Sequence, residues 1–242
     1  KPMVNIGYRP IIGHLMKYYA HYGHKDFILA LGYRGDIIKN YFVQYDECLS
    51  NDFVLSNGGK SVKLLNRDIE DWTISFVDTG MNSNIGMRLM AVKEHLKGEK
   101  MFLANYSDGL SDLPFPTYLD FALNHDKVAT FMIVRPPYSF HLVNAAADGK
   151  VNTITPATKT ETWINSGFFV LKQEIFDYMK DGEELVEQPF YRLVEKNQIA
   201  AYKYEGFFAC MDTFKDKQMF DNRQAAGDTP WEVWKNNSGG KK

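Results

Sequence analysis

The chain has 242 residues, 45% hydrophobic and 14% aromatic, enough for one sizeable core or a core with a small appendage. Its formal net charge of −2 gives no basic excess for DNA or RNA, so a charged ligand has to be small and met locally. Cys48 and Cys210 stand far apart and outside any CxxC pair, which argues against a disulfide scaffold and a zinc site. With no apolar run of the roughly 20 residues that span a bilayer, and no signal-peptide pattern in the first residues, the expectation is a cytoplasmic protein without a membrane partner.

Pro10 can open a helix, where its missing N–H costs nothing, and Ile11, Ile12, Leu15, Met16 and Tyr19 follow at helical spacing, with Gly23 as a stop. Residues 27–31 read as a short buried strand. A turn bracketed by Gly32 and Gly35 leads to a helix carrying Ile37, Ile38, Tyr41 and Phe42. Residues 43–71 are polar and hold the turn signal Asn57-Gly58-Gly59, so they read as an excursion of hairpin or loop character. Excursions of that length are often functional.

A strand is expected over 73–77, a helix over 87–96, a strand over 101–105, a helix opened by Pro116 over 117–123 and a β-rich run over 128–134. This alternation predicts an α/β fold with a mostly parallel central sheet flanked by helices. The pattern changes after about residue 138. Strands are expected at 151–154, 164–171 and 200–204, and helices at 175–179 and 189–195. Residues 1–223 read as one domain. The tail, 224–242, is polar and Gly-rich apart from Pro230-Trp231-Glu232-Val233-Trp234, whose tryptophans should pack against their own or a neighbouring subunit.

The strongest chemical signal is Ala104-Asn105-Tyr106-Ser107-Asp108-Gly109, an apolar strand running into Asp-Gly. Ligands of open α/β sheets bind beyond the carboxyl ends of strands. A carboxylate there, beside a glycine, can hold Mg²⁺ while backbone approaches the ligand. The same residues also make an ordinary strand-end turn. Asp212 is a second carboxylate, but alone it reads better as a helix N-cap. Val77-Asp78-Thr79-Gly80 is a third strand-end turn, followed by Gly86 and Arg88 at a helix start. Backbone N–H groups and a guanidinium there suit a phosphate or a base carbonyl, although a plain turn with a solvated arginine is the simpler reading. His21 and His24 lack a third ligand and read as surface or helix-end residues.

KPMVNIGYRPI (1–11), LGYRGDIIKNYF (31–42), VDTGMNSNIGMRL (77–89), YSDGLSD (106–112), WINSGFFVL (163–171), MDTFKDK (211–217) and PWEVW (230–234) together resemble the sugar-phosphate nucleotidyltransferases, in particular the cytidylyl branch. The resemblance runs colinearly from Lys1 to about Trp234. It implies a Rossmann-like, GT-A-type fold in which CTP and a sugar 1-phosphate meet at the strand ends, with residues 1–135 on the nucleotide side and 136–223 on the sugar side.

It places Asp108 and Asp212 on the family's two Mg²⁺-binding aspartates, which reverses the cap reading of Asp212, and Lys1 on a lysine near the phosphates. These three are the expected catalytic residues. It places Lys1, Thr79, Gly80, Gly86, Arg88, Ser107, Asp108 and Gly109 at the nucleotide. Asn165, Ser166 and Gly167 fall to the sugar phosphate, with His141 and Lys159 as neighbours. The implied reaction is attack of the sugar phosphate on the α-phosphorus of CTP, within nucleotide-sugar and polysaccharide biosynthesis. A homo-oligomer is expected.

Four departures shape the expectation. The family opens with a strand and a GGxGTRL loop ahead of KPM, whereas this sequence starts at Lys1. The chain as it stands is therefore expected to lack the first sheet strand and to be impaired as a catalyst. The family's GRFG is Tyr138-Ser139-Phe140-His141 here, and its EKP lysine is absent from 155–158, with Lys159 close but out of register. INGG is replaced by Ile164-Asn165-Ser166-Gly167. A changed acceptor with CTP retained is the resulting expectation. The alternatives are a non-catalytic nucleotide-sugar-binding homologue and an enzyme using UTP or dTTP; retention of both aspartates favours catalysis.

Overall fold

A computed structural model describes residues 1–136 and 140–235. The chain opens with a small ribbon, β1 (Asn5–Ile6) and β2 (Arg9–Pro10), that leads directly into α1 (Ile11–His21). Pro10 holds the extended conformation before the first helical turn. Then come β3 (Asp26–Leu31), α2 (Gly35–Val43), α3 (Glu47–Ser50), β4 (Phe53–Ser56), β5 (Ser61–Leu64) and β6 (Thr73–Asp78). Next are α4 (Ile85–Val92), β7 (Met101–Asn105), β8 (Gly109–Ser111), α5 (Phe115–His125) and β9 (Ala129–Val134). The second half holds β10 (His141–Ala145), β11 (Val151–Pro156), β12 (Ile164–Lys172), α6 (Gln188–Glu195), β13 (Ile199–Tyr204), β14 (Phe208–Cys210) and α7 (Phe214–Ala226).

The expected α/β architecture is present. β3 pairs β6 in parallel, and β9 pairs β13 in parallel within a four-stranded sheet of order β13-β9-β12-β7. β12 departs from the parallel pattern, running antiparallel to both β9 and β7. The cause is local: β9 and β12 are joined through the β10–β11 hairpin, not through a helical crossover of the kind that parallel neighbours need.

β12 also shows how the layers are held. Successive side chains of a strand point to opposite faces, and β12 is buried on both. Phe168 and Val170 enter a cluster with Leu15, Tyr18 and Tyr19 of α1 and Phe115 and Tyr118 of α5. Phe169 and Leu171 enter a second cluster with Leu89 and Val92 of α4 and Phe190 and Leu193 of α6. β7 repeats the alternation, with Met101 and Leu103 against the first cluster and Phe102 and Ala104 in the second. So does β3, through Phe27 on one side and Ile28 and Ala30 on the other. β3 thus lies in the same layer as β7, although its ladder partner is β6. Burying a Phe or Leu side chain contributes about 1.5–3 kcal/mol, and truncating Phe168 to alanine in this double-sided layer costs about 3–5 kcal/mol.

The excursion is a hairpin, as expected, with β4 and β5 joined through Asn57–Gly59 and preceded by α3. Asp68 ties its root to α1. The carboxylate accepts from Arg9, Lys17 and Tyr45, and Glu47 in turn accepts the backbone N–H groups of Asp68 and Ile69.

The boundary expected at residue 223 falls inside α7. Trp231, 1% exposed, and Val233 belong to the first cluster, with Trp231 against Phe207, Phe220 and His14. The aromatic end of the expected tail is therefore core. Residues 236–242, and Pro137, Tyr138 and Ser139 of the expected acceptor segment, lie outside the described residues. Among the described residues, no helix is long and apolar enough to cross a membrane.

Candidate active site

The site is assembled at the end of β7. Asp108 lies in the turn between β7 and β8, and β8 pairs antiparallel with β14 so that Gly109 faces Cys210. The ladder continues with Met211 N–H donating to the Asp108 carbonyl at 2.8 Å. That pairing carries Asp212 to Asp108 across about a hundred residues of sequence. Lys1 closes the group, its Nζ 2.5 Å from Asp212 Oδ1 and 3.8 Å from Asp108 Oδ2. The Lys1 carbonyl accepts from Val4 N–H and the Pro2 carbonyl from Ile12 N–H, anchoring this segment on α1.

The electrostatics follow from this crowding. Burial pushes the Asp108 carboxyl above its usual range; Lys1 opposes the shift and the Asp212 carboxylate adds to it. The hydrogen bond to Asp212 raises Lys1, against a smaller effect of burial. Two carboxylates therefore share one ammonium. The Cys210 thiol donates to Asp212 Oδ2 at 3.2 Å.

Asp212 is not the helix cap. Thr213 fills that position: its hydroxyl accepts from Asp216 N–H, and the Asp216 carboxylate accepts from Thr213 N–H, a reciprocal capping box. This leaves the Asp212 side chain turned to Lys1.

On the expected nucleotide side, several residues are engaged within the fold. Thr79 is buried, its hydroxyl donating to the Leu31 carbonyl at 2.8 Å and accepting from Arg88 Nη1 at 3.0 Å. The Arg88 guanidinium lies against Gly32, where a Cβ would overlap it, so it ties together the ends of β3 and β6. Gly80 has φ +92°, a left-handed conformation that favours glycine, and its N–H donates to Asp78 Oδ1. Gly86 packs on the Glu183 carbonyl, with no room for a Cβ. At the α4 start, Asn84 Oδ1 accepts from Met87 N–H and Glu184 Oε2 from Ile85 N–H. Ser107 and Gly109 flank Asp108, and the Phe208 ring rests on Gly109.

On the expected acceptor side, Ser166 is engaged within the fold. It is 4% exposed and its hydroxyl donates into the sheet, to the Met132 carbonyl at 2.8 Å. Alternation along β12 sends it to the opposite face from its neighbours. Asn165 and Gly167 meet Tyr106, which the sequence reading did not single out although it stands within YSDG. His141 and Lys159 are both exposed at the root of the β10–β11 hairpin, where His141 pairs across from Pro156 just ahead of the turn that carries Lys159.

The α/β layer thus gathers a lysine and two carboxylates at a strand end, the place where ligands of open α/β sheets bind. No family model matches the chain. It is 35% identical to the glucose-1-phosphate cytidylyltransferase of Salmonella typhimurium over 236 residues, covering 97% of this chain and 91% of that one. It is 33% identical to a probable glucose-1-phosphate cytidylyltransferase of Bacillus subtilis, with the same coverage. The crystal structure of a UDP-glucose pyrophosphorylase complexed with UDP-glucose shares the fold, with a TM-score of 0.66 at 13% identity over 94% of this chain and 90% of that one. The chain belongs to the sugar-phosphate nucleotidyltransferase family.

Proposed function

We propose that this protein transfers a cytidylyl group from CTP to a sugar 1-phosphate, glucose 1-phosphate or a related acceptor, releasing pyrophosphate. The observation that carries this reading is the convergence of Lys1, Asp108 and Asp212 at the end of β7 in a relative of cytidylyltransferases. An oxygen of the sugar phosphate forms a bond to the α-phosphorus while the bond to the β-phosphate oxygen breaks; pyrophosphate takes the electron pair, and no protein atom is bonded covalently. Positioning and charge neutralisation supply the rate in such transfers.

The donor set fits Mg²⁺. Two carboxylates already surround one cationic group, and Mg²⁺ typically takes one or two carboxylates and completes its shell with phosphate oxygens and water. Asp108 and Asp212 would hold the ion, whose charge would screen the two anions from each other. Lys1, kept protonated by Asp212, neutralises a phosphate. In this reading residues 1–135 serve the nucleotide and later ones the acceptor. Thr79, Gly80 and Arg88 shape the nucleotide side by fixing the ends of β3 and β6.

Self-association is part of the proposal, supported by the exposed apolar side chains Val54, Leu55 and Val62 of one hairpin and Val143, Val151 and Ile154 of another. So is a cytoplasmic setting, where CTP is available. The test is an assay of the full-length protein with CTP, UTP and dTTP against a panel of sugar 1-phosphates, following pyrophosphate release. CDP-sugar formation supports the reading. Release with UTP or dTTP in preference to CTP, or none with any pair, rejects it.

A further inference from the structure

Tyr106 is the side chain that joins the two halves of this site. Its backbone N–H donates to the Gly167 carbonyl at 3.0 Å, one rung beyond the β7–β12 ladder. Its ring lies on Gly167, which has φ +80° and leaves no space for a Cβ between backbone and ring. Behind it, the ring meets Phe169 edge-on at 5.4 Å between centroids. At its tip the hydroxyl accepts from Asn165 Nδ2 at 3.4 Å, and Asn165 Oδ1 accepts from Gly167 N–H at 2.9 Å.

The register of β12 is irregular here: regular pairing with β9 breaks between Asn165 and Phe169. The ladder therefore does not by itself set the direction of the Asn165 side chain. The two hydrogen bonds of its amide do, one to its own strand and one to Tyr106. Two residues further along, Tyr106's own segment presents Asp108.

We infer that Tyr106 is a positioning residue that orients the Asn165 amide for the acceptor and holds the Asn165–Gly167 segment in register with the Asp108 turn. The ring and the hydroxyl have separable tasks. The ring covers Gly167 and fills space against Phe169, which phenylalanine does equally well. The hydroxyl alone fixes Asn165.

The inference rests on the proposed function, so the wild-type full-length protein is assayed first with CTP and glucose 1-phosphate, then with the other sugar 1-phosphates. Tyr106→Phe is compared on the best acceptor. The KM for that acceptor, and its dissociation constant by calorimetry, are expected to rise about three- to tenfold, the value of one hydrogen bond. The KM for CTP and the thermal midpoint stay where they are. Asn165→Ala alone raises the acceptor constant at least as far, and Tyr106→Phe on the Asn165→Ala background adds little, because without the amide the hydroxyl has nothing to orient. An unchanged acceptor constant in Tyr106→Phe overturns the inference, as does a parallel rise in the CTP and acceptor constants. A wild-type protein that turns over no acceptor sinks the functional reading and the inference with it.

Discussion

Lys1 Nζ and Asp212 Oδ1 lie 2.5 Å apart although 211 positions separate them in the chain. Asp108, 3.8 Å from the same ammonium, gets less relief from it, and its carboxyl stays raised chiefly by burial. The sign of the stability effect follows. A carboxyl raised in the folded state takes up its proton more readily there than in the unfolded chain. Stability is therefore lost as pH rises from the ordinary carboxyl value near 3.8 through the raised one, and the whole cost is present at neutral pH. Asp108→Asn should raise the thermal midpoint at pH 7, by roughly 2–4 °C for each kcal/mol relieved, while turnover falls to background. A lower midpoint in a thermal melt would contradict this. A gain in stability with a loss of function is common where charges are gathered for catalysis.

Ser166→Ala separates a ligand contact from a sheet contact. The hydroxyl donates to Met132 inside the sheet, so the variant should lose about 1 kcal/mol of stability in urea unfolding. Its KM for the sugar phosphate should match wild type. A raised KM with unchanged stability would show the hydroxyl turned outward.

Asp68→Asn should be far more costly. The substitution leaves Arg9, 4% exposed, and Lys17 without their shared carboxylate. Lys17 is already lowered, first by burial and then by Arg9. Breaking a buried pair from one side costs about 3–5 kcal/mol, read as a lower urea midpoint with an unchanged slope.

His14 supplies a pH dependence of its own. Its Nε2 donates to the Ile6 carbonyl at 3.1 Å, and Nδ1 stands 3.8 Å from Glu232. Burial lowers it to about 4 from 6.5, with Arg9 and Lys17 assisting, and Ile6 and Glu232 opposing. The unfolded chain therefore binds the proton first as pH falls, and stability is lost between pH 6.5 and 4. The slope is at most about 1.4 kcal/mol per pH unit for one proton. Burial raises Glu232, but Lys235 and Thr229 hold it below the ordinary 4.5, so its contribution is intact above that value and is lost only as pH falls below it, at the acid end of the same window. His14→Gln, which keeps a donor for Ile6, should flatten the decline over that window in pH-dependent chemical denaturation.

Much of this molecule is legible in its residues, and the remainder is hidden for definite reasons. Pro10, the apolar spacing after it and the run into Asp108-Gly109 place α1 and the β7 turn from local pattern alone. The pairing of β8 with β14 does not announce itself, because three-residue strands show no periodicity, yet it is what brings Asp212 to Asp108. The cap of α7 is not decided by residue type: Asp212 and Thr213 are both good caps, and only the reciprocal bond with Asp216 settles on Thr213. The burial of Ser166 is not legible in the motif, which names three consecutive residues, while a strand shows only alternate ones to a given face. Arg88 and Gly86 carry the pattern of a phosphate site and are taken up by contacts to Thr79 and Glu183, segments the sequence alone does not bring together.

The clasp at Asp68 has a practical consequence. The β4–β5 hairpin leaves the body and returns to it through one ionic knot, and at its tip nothing lies within 4 Å of the Cβ positions of Gly58 and Gly59. Chain length beyond the knot is therefore uncoupled from the layers that build the site. A fluorophore, a peptide tag or a tether to a solid support joined at Gly58–Gly59 would travel with the protein as luggage on a handle, leaving the grip at Lys1 and Asp212 as it was.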